Sequence, residues 1–416
     1  MTAASASPEK TRNLLSWGTL GQIVYVSSQF ILLMALARFS DVETVGYFGL
    51  SSAIIIPIYW LLRLELRVNL ASDAAQRYWF TEFLTLLALT MTLAYLTLVG
   101  ISLTLMDGAA RSVLLLFGLA KLSETFSELC YGQFQKERQM KRVAKSQILR
   151  GLVSAALFFA ILATTRRTDA AFLGLLGVWA AVLLVYDLPS AIRISKRLGE
   201  WQSPRLTRIW ELFLKSLPLG MNGLLSALQG NMPRYAVERM IGISSLGQLT
   251  VVMYAMQAMT TVAMAISHSL TATFARQARN NNRAGFFRTL KKLLAMIWSL
   301  SILATLIAAL LGDLILETVF GSEFSGLGLV LTICTFGAGL RASVLILQGA
   351  LLAARSFSQN LQIRIAMLCL MAALCVLGGL FAGLTGIVTG MSTSFLIHAA
   401  ILWIVLLKLP FHTPEC

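Results

Sequence analysis

Three ionisable side chains, Lys121, Glu124 and Glu128, stand three and four residues apart in an otherwise apolar run. On a helix those spacings bring all three to one face. One chemistry open to them is a self-neutralising Lys121–Glu124 pair that locks a helix contact. The other is a hydrated pathway with a titratable carboxylate, since three charges exceed what one pair neutralises. Arg341 is embedded in the same way. It reads either as half of a structural ion pair or as a cation that meets an anionic substrate, and the fixed donor fork of guanidinium suits phosphate. The segment NMPRYAVERM (231–240) adds Arg234, Glu238 and Arg239 behind Pro233. Proline can break a helix, and broken helices line transporter sites. Arg234 and Glu238 have the spacing of a helical pair, as do Glu211 and Lys215.

The elements that must carry these residues follow from composition. Of 416 residues, 57% are hydrophobic and 13% charged. Soluble domains carry about 25% charged residues, so two or three water-exposed domains cannot be dressed from this chain. A span of bilayer needs roughly 20 mostly apolar residues. Twelve such stretches are read, at 14–37, 44–64, 80–105, 112–133, 147–164, 170–192, 210–232, 244–270, 290–311, 326–353, 362–381 and 384–407. Gly383 and Gly386 mark the tight break between the last two. The first dozen residues lack the apolar stretch of a cleavable leader.

With the N-terminus in the cytoplasm, the basic residues cluster at 10–12, 63–77, 136–145, 193–208, 276–292 and 355–364, with Lys408 at the end. The opposite side then holds Arg38, Arg111, Arg166, Arg167, Arg234 and Arg239. That is the positive-inside bias of a polytopic membrane protein with both termini inside, and it accounts for the net charge of +15 without a nucleic-acid partner. The fold class is therefore all-α and polytopic, with about twelve transmembrane helices in two pseudo-symmetric six-helix lobes around a central cavity. The lobes are 1–192 and 210–416, joined by a cytoplasmic linker at 193–209. Arg38…Gly46 recurs at the same spacing as Arg239…Gly247, and Gly132…Arg138 as Gly349…Arg355, as parallel repeats would. In the second alignment Glu124 and Arg341 are equivalent positions.

Smaller features are expected to be structural. Arg63, Glu65 and Arg67 end span two, where helical alternation turns Glu65 away from two snorkelling arginines. Asp187 and Pro189 end span six at the interface. His268 and His398 are read as hydrogen-bonded interior residues, with a proton relay as the sharper alternative. Met253, Met256, Met259 and Met264 pack, or line an adaptable wall. The five cysteines form no CxxC pair, and Cys130, Cys334, Cys369 and Cys375 lie in apolar runs. No nucleotide loop, metal motif, cofactor signature or catalytic elbow is present, so an enzyme is not expected.

YGQFQKERQMKRVAKSQILRG (131–151), LPLGMN (217–222), NMPRYAVERMIG (231–242) with the following LGQL, VGYFGLSSAIIIPI (45–58) and LRLELRVNLASDA (62–74) resemble segments of bacterial polysaccharide flippases. These belong to the multidrug/oligosaccharidyl-lipid/polysaccharide exporter superfamily. The resemblance implies two six-helix lobes forming a V in the inner membrane. It also implies transfer of a polyprenyl-pyrophosphate-linked oligosaccharide to the outer leaflet, driven by protons, another ion or the potential through alternating access. Lys121, Arg234, Arg239 and Arg341 are the candidate partners of the anionic headgroup. Glu124 and Glu128 are the candidates for ion coupling or for pairing with those cations. A small-molecule exporter of the same superfamily, a membrane-embedded polymerase and a scaffold in a polysaccharide-assembly complex remain the alternatives.

Overall fold

The computed structural model describes the backbone of residues 8–73, 75–280, 282–353 and 357–408. Among these residues there is no strand. The helices are α1 (Pro8–Phe39), α2 (Val42–Leu62), α3 (Leu66–Ser72), α4 (Phe80–Leu105), α5 (Gly108–Lys136), α6 (Met140–Thr165), α7 (Thr168–Val182) and α8 (Leu188–Arg197). They continue as α9 (Leu206–Met240), α10 (Ile243–Arg279), α11 (Arg283–Phe320), α12 (Gly328–Ala353) and α13 (Phe357–Lys408). By length and hydropathy alone, eight helical stretches among the described residues can cross a membrane. The twelve stretches read from sequence fall on these helices, the second and tenth overrunning an end by two residues and the sixth crossing from α7 into α8. The difference from eight has physical causes. α5 and α9 each carry several charges, and the side chains of α10 are described in part. α13 is two spans in one, because Ala382 and Gly383 leave helical geometry and reverse the chain. The chain is a multi-pass membrane protein.

Large apolar side chains face outward along these helices, among them Leu105, Val185, Leu310 and Phe381. In a soluble protein such a surface would aggregate; here lipid covers it. Cys369 is also on the exposed surface, whereas Cys130, Cys334 and Cys375 are buried.

Two compact units emerge, Met1–Ala227 and Leu228–Cys416, with the division inside α9. In the first, α5 is the hub and touches α2, α3, α4, α6, α7 and α8, while α1 lies along α6. In the second, α12 is the hub and touches α10, α11 and α13. The hubs are the helices that carry Glu124 and Arg341. Arg38 and Arg239, matched in the repeat, each stand in the last turn of their helix, α1 and α9.

One irregularity has a clear origin. Pro189 has no N–H to donate back along the helix, so the chain between α7 and α8 opens into a π-helical turn, Leu183–Asp187. Its last residue, Asp187, turns inward.

Candidate functional site

The first unit holds a layer of paired charges. Lys121 Nζ donates to Glu124 at 2.7 Å, one turn along α5. Tyr25 of α1 donates its hydroxyl to the other oxygen of Glu124. Arg150 of α6 brings Nη2 to 3.6 Å from that same oxygen. α6 reaches so close because Gly151 faces Ser28 and the Tyr25 backbone, where a Cβ would stand 2.8 Å from Ser28 Oγ. The Arg150 guanidinium is fully buried in an aromatic cage, 4.8 Å from the Tyr25 ring, 5.4 Å from Trp179 and 5.7 Å from Tyr131. Lys121 also sits over Trp179 at 5.2 Å. Tyr131 and Ser146 share a hydrogen bond of 2.7 Å, and Ser146 donates to Asp187 at 2.8 Å. Glu128, the third charge of the α5 face, pairs instead with Arg63 at 3.3 Å.

Several expectations are corrected here. Asp187 is fully buried and hydrogen-bonded, not interfacial, because the π-helical turn rotates it inward. Glu65 does not point away from Arg63. Leu64 and Glu65 adopt left-handed backbone angles that end the helix, and Arg63 pairs with both Glu65 and Glu128. Arg67 lies over the Tyr131 ring at 5.6 Å. The Glu211–Lys215 pair forms as its spacing requires. Arg150 and Tyr25 are not singled out by any spacing, although an arginine inside an apolar span is itself a signal.

The second unit is built the other way. Arg234 is buried in α9 and donates to Asn231 Oδ1 at 2.8 Å, and it makes no pair with the nearby Glu238. Arg341 of α12 lies over Phe395 at 5.9 Å and packs on α9 at Gly230, where a Cβ would meet Nη2 at 3.0 Å. Arg234 and Arg341 are near enough to repel one another. Among the described residues, every ion pair within 4.0 Å lies in the first unit. Arg239 is exposed at the end of α9. His398 of α13 is fully buried between Gln229 and Gln348, at 3.1 and 3.3 Å. Gln348 also accepts from Arg364 at 2.8 Å. Met253 and Met256 are buried; the side chains of Met259, Met264 and His268 lie outside the described residues. Among the described residues no cluster of metal-ligating side chains occurs.

The fold recurs in solved proteins. The lipid II flippase MurJ, in its inward closed conformation, matches with a TM-score of 0.71 at 13% identity, covering 94% of this chain and 88% of that one. The Vibrio cholerae MATE transporter VcmN matches at 0.61 and 13%, covering 96% of both. The MATE multidrug transporter DinF-BH matches at 0.66 and 13%, covering 98% and 97%. The chain has the MurJ and MATE transporter fold. By sequence it is 21% identical over 351 residues to the Staphylococcus aureus capsular polysaccharide biosynthesis protein CapF, covering 84% of this chain and 87% of that protein. No family model matches. The resemblance to polysaccharide flippases, carried by the YGQFQ and NMPRY segments, thus agrees with a relative named for capsule synthesis and with neighbours that include a flippase.

Proposed function

We propose that the chain is a flippase for a lipid-linked oligosaccharide, moving a polyprenyl-pyrophosphate headgroup across the cytoplasmic membrane by ion- or potential-coupled alternating access. One observation carries this reading. Arg234 and Arg341 both stand in the second unit, within electrostatic reach of one another, with no carboxylate of the described residues within 4.0 Å. Two like charges held within a membrane protein are costly unless an anion joins them. A pyrophosphate supplies that anion, and arginine's planar fork matches its oxygens. In the first unit, by contrast, Lys121, Arg63 and Arg150 already have carboxylates beside them. Arg234 and Arg341 are therefore the headgroup residues. Arg239 guards the exposed end of α9, and the Lys121–Glu124–Arg150 group holds α1, α5 and α6 in register. Glu128, paired with Arg63, belongs with that structural group. The MurJ and CapF likenesses support the class of cargo, and the basic loops support cytoplasmic termini in an inner membrane.

The test is the leaflet location of the lipid-linked intermediate in cells depleted of the protein. Accumulation on the cytoplasmic face, relieved by the wild type and not by Arg341→Ala at equal abundance, is the expected result. An intermediate that still reaches the outer face rejects the flippase reading in favour of small-molecule export, polymerisation or scaffolding.

A further inference from the structure

His398 has a protonation state that its neighbours dictate. Arginine donates and never accepts, so the Gln348 oxygen that meets Arg364 Nη2 at 2.8 Å is fixed as an acceptor. The Gln348 amide nitrogen is then the group that faces His398 Nε2 at 3.3 Å, and it donates there. A ring nitrogen that accepts carries no proton. The neutral ring must hold its hydrogen on Nδ1; Gln229 sets its amide nitrogen 3.1 Å from that atom, so its carboxamide has to turn over and bring the oxygen there to receive the hydrogen. Each hydrogen of this chain across α9, α12 and α13 is thereby assigned.

A second ring proton breaks this order. An imidazolium donates from both nitrogens. To receive the second hydrogen, Gln348 would have to present its oxygen to His398, which points its NH2 group at Arg364, donor against donor. The Arg364–Gln348 hydrogen bond and a charged His398 therefore exclude one another. We propose that this makes the layer a proton-coupled oxyanion station. A phosphate-type anion that takes the guanidinium of Arg364 releases the Gln348 oxygen. The amide turns over, and His398 takes one proton from solvent onto Nε2 while Nδ1–H stays on Gln229. The anion and the proton arrive together and leave together, and the chain returns to the neutral tautomer.

The surroundings suit such an exchange. Arg364 is the charged side chain within this hydrogen-bonded chain. Arg341 lies beside Phe395, one turn before His398 on α13 and two turns before Gln348 on α12, a rise of about 10 Å. α10 packs on α12 and its sequence contains no carboxylate; its His268 lies outside the described residues. On α11, Asp313 is spent on the backbone N–H of Gly328 at the far end of α12. No described carboxylate is placed to hold a protonated His398, so the incoming anion must do it. The station rests on the proposed function for its cargo, since Gln348, which holds Arg364, stands about 10 Å from Arg341 along α12 and gives the headgroup a second stop.

The experiment uses nitrogen-15 histidine labelling of the full-length protein in nanodiscs. The chain has three histidines, and His398→Gln assigns the signal. Near neutral pH the wild type is expected to show one protonated and one bare ring nitrogen, with the hydrogen on Nδ1. Saturating inorganic pyrophosphate, or a polyprenyl pyrophosphate in the disc, should convert the pair to two equivalent protonated nitrogens. A response to both assigns a station open to water; a response to the lipid form alone assigns entry from the bilayer. Arg364→Gln should abolish the conversion. Gln348→Glu, which offers acceptors to both neighbours, should charge His398 without any anion. An Nε2–H tautomer at rest, a ring that stays neutral with both anions, or a response unaltered by Arg364→Gln overturns the proposal. None of these readouts involves flipping, so the leaflet assay can fail while the switch stands, and the reverse.

Discussion

Arg150 is surrounded by three aromatic rings and, among the described residues, has one carboxylate, Glu124, within 4 Å. Removing one partner of a buried pair strands the other, at a typical cost of about 3–5 kcal/mol. Glu124→Gln, which leaves both Arg150 and Lys121 without their carboxylate, is accordingly expected to lower the thermal unfolding midpoint of the purified protein sharply. Glu124→Gln combined with Arg150→Met should recover part of the loss, since only the partly exposed Lys121 is then left without its carboxylate. No loss in the single variant would show that the cage does not hold α1 to α6. The second unit should behave differently. Arg341→Ala is expected to leave the unfolding midpoint near that of the wild type and to cut export by on the order of thirtyfold, about 2 kcal/mol of headgroup binding. Arg341→Lys should restore part of it, because one ammonium lacks the paired donors. The reverse pattern, stability lost and export kept, would make Arg341 structural. At this scale the sequence was half legible. The α5 face of Lys121, Glu124 and Glu128 could be read from spacing, because spacing along one helix is local. Its division between Arg150 and Arg63 could not, since Tyr25 meets Glu124 across two helices far apart in the chain. Asp187 was misplaced because the π-helical turn that buries it is absent from any regular helical wheel.

The helices themselves were more legible, since apolar length is a property of the chain alone. The hardest boundary was the one between the last two spans, and the structure shows why it could be found at all. Gly383 has φ of 55°, an angle that favours glycine. Around it the two arms of α13 touch backbone to backbone. A Cβ on Gly386 would lie 1.9 Å from the Gly378 oxygen, and one on Gly390 would lie 2.3 Å from that of Leu374. Gly386→Val is expected to wedge the arms apart and to leave little monodisperse protein on size-exclusion chromatography. Gly177→Ala is the matched control. Nothing lies within 4 Å of that position on α7, so the substitution should add roughly 1 kcal/mol of helix propensity and preserve the elution profile. Equal yields from both variants would mean that the hairpin tolerates separation. The break after α2 gave no comparable signal. Leu64 and Glu65 take left-handed angles without glycine, held by the Arg63 pairs instead.

Across the whole molecule, the twelve-span reading and its orientation rest on two independent physical quantities, apolar length and the sidedness of Lys and Arg. They make a joint prediction that either quantity alone does not. Single cysteines placed in a cysteine-free background at Arg138, Gly199 and Asn280 should react with a membrane-impermeant maleimide in inverted vesicles and stay unreactive in intact cells. Cysteines at Asp107, Arg166 and Ser325 should do the opposite. These positions follow α5, α8 and α10 on one side, and α4, α6 and α11 on the other. Reversed labelling at every site would keep the span count and invert the molecule, which would place Arg364 at the outer mouth and make the proposed headgroup station one of release. Reversal beginning at a single helix would instead show that this helix does not cross. The charged helices α5 and α9 are the ones to watch. Each carries an intramembrane cation whose insertion cost on a biological scale is about 2.5–3.5 kcal/mol at the centre, and each must recover that cost from its neighbours. α5 does so through Glu124 and the aromatic cage. α9 has Asn231 and the α12 contact, so its insertion should be the more sensitive of the two to loss of the rest of its unit. Truncation after residue 240 is therefore expected to leave the Arg166 site correctly oriented while α9 becomes accessible to the maleimide.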